Sequence, residues 1–129
     1  MEHSAGPERG IVRGLALNPG TPLEWLTPAL LDEVDMVSLL AVDPGWSGQR
    51  FAPGTLARVA RAKEFIAASG RDILLCVDGG MTRGNIAEVA AAGVDIVAAG
   101  SAVFDGGSAG AATTGANARF MLDAVRGAR

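Results

Sequence analysis

Ile73-Leu74-Leu75-Cys76-Val77-Asp78-Gly79-Gly80 is the stretch that decides how this chain folds. Five apolar residues in a row read as a strand buried on both faces, as in a parallel sheet. The carboxylate of Asp78 then falls where that strand stops, at the C-terminal edge where parallel α/β folds build their sites. Two glycines follow at once, and a backbone without side chains can come close to a ligand. Ile96-Val97-Ala98-Ala99 repeats the arrangement and ends in Gly100-Ser101. Two apolar runs ending in glycine turns suggest a phosphate cradle with Asp78 beside it as the chemical group. Taken alone, Asp78 suits a turn cap equally well, and the glycines suit simple turns.

Outward from that stretch, strands are expected at Val12 to Leu17 and Met36 to Val42 as well. Thr21 and Pro22 have the chemistry of a helix start, with Pro28 breaking that helix into two short pieces. Thr55 to Ser69 spaces Leu56, Val59, Ala60 and Ile66 on one helical face, and Gly70 supplies a stop. Thr82 to Ala92 and Ala116 to Arg126 complete the helices, with a loose Gly/Ala-rich connection over Asp105 to Gly115. Trp25 is expected to pack on the short helix and Cys76 to fill core space. The order β-α-β-α-β-α-β-α implies parallel strands joined by crossovers of one hand. It fits a small open sheet or half of an eight-fold barrel, which needs about 250 residues when complete.

Composition narrows the function. The chain has 129 residues, of which 49% are hydrophobic and 19% charged, enough for one packed domain. A net charge of −3 and 5% aromatic residues argue against nucleic-acid binding. One cysteine excludes an internal disulfide and fits a reducing cytoplasm. No apolar stretch reaches the roughly 18 residues of a membrane span, and Met1 to Gly10 reads as an irregular lead-in without a signal-peptide core.

Four segments, in order, carry a resemblance. Leu15-Ala16-Leu17-Asn18-Pro19-Gly20-Thr21-Pro22, Val42-Asp43-Pro44-Gly45-Trp46-Ser47-Gly48-Gln49-Arg50-Phe51, Val77-Asp78-Gly79-Gly80 and Ala99-Gly100-Ser101-Ala102-Val103-Phe104 resemble the ribulose-phosphate 3-epimerase family. The resemblance implies an α/β fold of the (β/α)8 TIM-barrel type, with residues 11–129 as its C-terminal half, about four β/α units. It implies an isomerase that inverts carbon 3 of a pentulose 5-phosphate, using two acid/base residues on opposite faces of that carbon. It further implies a divalent metal (zinc, iron, manganese or cobalt) that stabilises the enediolate.

Carried over by position, Asp78 is one acid/base residue and a metal ligand. The substrate phosphate is held by backbone amides of Gly45, Trp46, Ser47 and Gly48, of Gly79 and Gly80, and of Gly100 and Ser101. Such amides need no cationic side chain. The family's first half supplies the second catalytic Asp and two metal-binding His, and the only histidine here is His3. Little epimerase activity is therefore expected of this chain alone. Leu40-Ala41-Val42 and Trp46-Ser47 depart from the family's Met-Thr-Val and Phe-Gly, which leaves sugar preference open. An allulose-6-phosphate 3-epimerase and a non-catalytic sugar-phosphate-binding half-barrel are the alternatives. Two open sheet edges and an apolar interior make a homo-oligomer the expected state.

Overall fold

The computed structural model describes residues 10–42, 51, 54–104 and 111–128. Strands β1 (Gly14–Leu17), β2 (Met36–Leu40), β3 (Leu74–Asp78) and β4 (Ile96–Ala98) form one sheet in the order β1-β2-β3-β4. Each neighbouring pair runs parallel. Between them lie a 3-10 turn (Leu23–Trp25) and helices α1 (Pro28–Leu31), α2 (Thr55–Ser69) and α3 (Ile86–Ala91); α4 (Ala111–Ala128) follows β4. The strand order never reverses, so crossovers of one hand keep every helix on the same side of the sheet. The α/β reading holds. No described helix is long and apolar enough to cross a membrane.

The helix-facing side carries the core. Leu17, Val37, Leu39, Leu75 and Val77 from the strands pack with Val59, Ala62, Ile86, Val89 and Met121 from the helices. Because side chains alternate along a strand, the remaining strand residues face the other way. The register stacks them in rows: Gly14, Met36 and Leu74; then Ala16, Ser38, Cys76 and Ile96; then Leu40, Asp78 and Ala98. None of these ten belongs to the core cluster or to the residues packed against it. Burial on both faces is thus confined to the strand centres. Ser38 and Cys76 are buried, whereas Leu74 is 41% and Ile96 37% exposed.

Two aspartates fasten the sheet at the end opposite to Asp78. Asp35, one residue before β2, accepts the Arg13 backbone N–H at 2.9 Å. Asp95, one residue before β4, accepts that of Leu75 at 2.9 Å. Both reach sideways to a neighbouring strand and hold the parallel register where the ladder begins.

Helix α2 runs over Thr55–Ser69, and Gly70 ends it at φ 70. Its buried positions are Thr55, Val59 and Ala62, with Leu56 and Ile66 partly buried; Ala60 is exposed, one step off the face its spacing suggested. The other helices depart further. Pro22 precedes a 3-10 turn rather than opening an α-helix. Pro28 begins α1 behind Thr27, whose side chain accepts the Leu30 N–H, so it starts a helix as well as ending the stretch before it. Trp25 is 63% exposed instead of packed. Ala111 to Gly115, expected as loose connection, already belong to α4.

Candidate functional site at the C-terminal end of the sheet

Asp78 is the last residue of β3, and its side chain is exposed. It lies between Leu40 of β2 and Ala98 of β4 in the top row of the face that no described helix covers. Its own carbonyl accepts the Ala41 N–H at 2.7 Å, which fixes the backbone while leaving the carboxylate outward. The column below it is Cys76, whose thiol is pushed up by burial, drawn back by a hydrogen bond with Ser38, and raised further by the Asp78 charge. The Asp78 charge is thus felt by the thiol two residues earlier on the same strand face.

Gly79 and Gly80 take φ values of 102° and 69°. A Cβ on Gly79 would lie 2.7 Å from Val42 Cγ2, and one on Gly80 would lie 2.9 Å from Phe51 Cα. The pair is therefore demanded by the protein's own packing as well as by turn geometry. Asn85 braces the turn that follows: its Oδ1 accepts the Thr82 N–H at 2.8 Å and its Nδ2 donates to the Gly80 carbonyl at 2.8 Å. That side-chain tie explains why residues 82–85 form a turn and α3 begins only at Ile86.

Gly100 behaves differently. It is outside the left-handed region, and a Cβ there would meet nothing within 4 Å. Its carbonyl accepts the N–H groups of Val103 and Phe104, both at 2.9 Å, which curls the chain just after β4. Ser101 on this curl joins Met81 to Gly84, Ala102 and Asn117 around an open hollow of about 460 Å3. Since Asp78 pairs with Ala98, the Gly79-Gly80 and Gly100-Ser101 turns leave adjacent strands at one end of the sheet.

Three supporting residues escaped the sequence reading. Arg83 donates to Asn117 Oδ1 at 2.7 Å and lies 4.2 Å over the Phe120 ring, and Asn117 donates to the Val103 carbonyl at 3.2 Å. This chain of contacts ties the turns after β3 and β4 to α4. Arg58 of α2 donates to the carbonyls of Thr21 and Asn18 at 2.9 and 3.1 Å, holding the Asn18-Pro19-Gly20-Thr21 loop at the same end of the sheet. A helical arginine facing a carbonyl-rich loop leaves no periodic signal, so only the fold reveals it. Gly45, Trp46, Ser47 and Gly48 lie outside the described residues.

A model of the ribulose-phosphate 3 epimerase family matches residues 5–104. The chain belongs to the ribulose-phosphate 3-epimerase family. It is 48% identical to ribulose-phosphate 3-epimerase of Serratia marcescens over 97 residues, 75% of this chain and 46% of that protein. Ribulose-phosphate 3-epimerase 2 of Cupriavidus necator is 47% identical over 112 residues, 80% of this chain and 46% of that protein. The Escherichia coli (strain K12) enzyme of the same name is 47% identical over 98 residues, 76% of this chain and 43% of the enzyme. The chain thus spans less than half the length of these relatives.

The family match includes every candidate position, yet ends before α4. The Arg83–Asn117 hydrogen bond therefore joins the matched region to a helix beyond it. A resident metal centre needs about three protein ligands. Among the described residues no group of three or more His, Cys, Asp or Glu side chains is placed to hold a metal ion. Asp78 supplies one donor, so the described residues do not by themselves fit a metal centre.

Proposed function

We propose that this chain carries the sugar-phosphate half of an epimerase site for a pentulose 5-phosphate. The Gly79-Gly80 and Gly100-Ser101 turns hold the phosphate through backbone N–H groups, and the carboxylate of Asp78 exchanges a proton with carbon 3. In that step the carboxylate takes the carbon-3 proton, and the bonding electron pair moves onto the carbon-2 carbonyl to give an enediolate. Inversion then requires a second acid that returns a proton to the opposite face. A divalent cation, if bound, would steady the enediolate charge as a Lewis acid.

One observation carries the reading: an exposed carboxylate ends β3 directly before two left-handed glycines, with a second glycine turn one strand away. An exposed carboxylate at the end of a strand is reachable by substrate. Backbone amides at adjacent turns suit a phosphate dianion without a cationic side chain. Departures from the family at Leu40 and Ala41 bear on which sugar is preferred, since Leu40 is the β2 neighbour of Asp78.

The test compares binding of ribulose 5-phosphate with that of ribulose by calorimetry, and follows carbon-3 exchange with solvent deuterium by NMR. The phosphorylated sugar should bind at least tenfold more tightly, and Asp78→Asn should keep binding while losing exchange. Equal affinity for the two sugars, or unchanged exchange in Asp78→Asn, would sink the proposal.

A further inference from the structure

The two glycine turns at the end of the sheet are held by different means. Gly79 and Gly80 are wedged, since a Cβ would stand 2.7 Å from Val42 Cγ2 at one and 2.9 Å from Phe51 Cα at the other. A Cβ at Gly100 would meet nothing within 4 Å, so packing on that side does not seat the second turn. Parallel pairing ties β3 to β4 as far as Asp78 and Ala98. Past that pair, the described hydrogen bonds that connect residues 79–85 with residues 100–104 run through Asn117.

Asn117 is only 7% exposed, and it lies on α4, beyond the family match. Its amide is used at both ends: Oδ1 accepts from Arg83 at 2.7 Å and Nδ2 donates to the Val103 carbonyl at 3.2 Å. A guanidinium only donates and a carbonyl only accepts, so a flipped amide would lose both bonds. Arg83 is seated in turn by Phe120, whose ring lies 4.2 Å below it and which shares a helix face with Asn117 three residues earlier. At the first turn, Asn85 bonds to both Gly80 and Thr82, so Arg83 is tethered next to the wedged glycines. At the second, the N–H groups of Val103 and Phe104 both bond to the Gly100 carbonyl. Holding the Val103 carbonyl therefore holds the short curl that presents Gly100 and Ser101.

We propose that Asn117 is a positioning residue: through Arg83 it carries the fixed place of the Gly79-Gly80 turn over to the Gly100-Ser101 turn, so that amides of both reach one phosphate. This role rests on the proposed function. An amide N–H bonds to an oxygen only over about 2.7–3.2 Å, so turns that drift apart by a fraction of an ångström no longer share one phosphate.

Calorimetry reads the affinity for ribulose 5-phosphate divided by that for ribulose, with Leu75→Ala as a control destabilised in the core. Asn117→Ala should lower that ratio about fivefold and Arg83→Ala about two- to threefold, while Arg83→Lys, which keeps a donor, should restore most of it. Because Arg83 acts through Asn117, the double variant should be no worse than Asn117→Ala. Losses that multiply in the double variant would mean that Arg83 meets the phosphate itself, and would overturn the relay. So would an unchanged ratio in Asn117→Ala, or an equal fall in Leu75→Ala. Should Asn117→Ala not fold, the fall in Arg83→Ala and its recovery in Arg83→Lys decide the matter. Hydrogen exchange needs no sugar: the Val103 and Phe104 amides should exchange about fivefold faster in Asn117→Ala and at the parent's rate in Leu75→Ala, because the opening is local. A parent chain that binds both sugars equally removes the proposed function, and exchange then decides the positioning by itself. A parent preference that Asn117→Ala leaves intact removes the positioning and keeps the phosphate site.

Discussion

Gly80→Ala should destabilise the folded chain by about 2–4 kcal/mol, whereas Gly100→Ala should change stability by no more than about 0.5 kcal/mol. The difference follows from local geometry. Gly80 sits at φ 69, where an L-residue is strained by roughly 1–2 kcal/mol. Its new Cβ would also stand 2.9 Å from Phe51 Cα and 3.0 Å from Phe51 N, backbone atoms that cannot swing aside. Forced shifts of that kind typically cost about 1–3 kcal/mol. The stiffer unfolded chain returns only about 0.4–1 kcal/mol. Gly100 has neither penalty, since its added Cβ meets nothing within 4 Å. Urea unfolding followed by circular dichroism, at one fixed chain concentration, reads the difference. With a slope of about 1–3 kcal/mol per molar urea, the Gly80→Ala midpoint should fall by on the order of 1–2 M. A Gly80→Ala midpoint within about 0.2 M of the parent, or an equal fall for Gly100→Ala, would refute the reasoning. Gly100→Ala is then the clean probe of the proposed phosphate cradle: any weakening of sugar-phosphate binding there comes without lost stability.

Other consequences are equally direct. Leu75, 2% exposed in a central strand, should lose about 2–5 kcal/mol on truncation to Ala, measured by the same unfolding assay. Asn117→Ala leaves the Val103 carbonyl and Arg83 without this side-chain partner and should cost about 1–3 kcal/mol; Arg83→Ala should cost less, because Asn117 keeps its bond to Val103. The Cys76 thiol is raised above its ordinary value of 9.0, so its share of stability is intact below that pH and is lost as pH climbs through the folded value. Between about pH 8 and pH 10.5 the parent should therefore lose more stability than Cys76→Ala, and parallel curves for the two would contradict that sign.

Much of the fold could be read from the sequence, because parallel strands buried at their centres leave continuous apolar runs. Helix α2 was legible to the residue, since Gly70 supplies an unambiguous stop. Where side chains bond to nearby backbone, the reading failed. Thr82 looks like a helix start, but Asn85 spends its amide on Gly80 and Thr82 and delays α3 to Ile86. Ala111 to Gly115 look loose because Gly115 suggests a break, yet α4 runs through it. Asp35 and Asp95 were invisible as anchors, because their role depends on which strand lies beside them. The placement of Asp78, Gly79, Gly80, Gly100 and Ser101 where β3 and β4 end was read from the apolar runs and motif order. Arg83, Asn117 and Arg58 were not, since their work is done across elements.

The position of Asp78 on β3 carries an argument that motif matching alone does not. Leu74, Cys76 and Asp78 share one face of the strand, and Leu75 and Val77 share the other. A carboxylate one residue earlier would point among Val37, Leu39 and Val59, where an unpaired charge is strongly disfavoured. The strand therefore fixes its own register: only with Val77 inward toward the helices can Asp78 stay in water. The same choice leaves the row beneath Asp78 (Ala16, Ser38, Cys76 and Ile96) uncharged and outside the core that the described helices build. In this chain, the exposure of the carboxylate at the sheet's end and the character of the face below it are thus set by one alternation, read along a single strand.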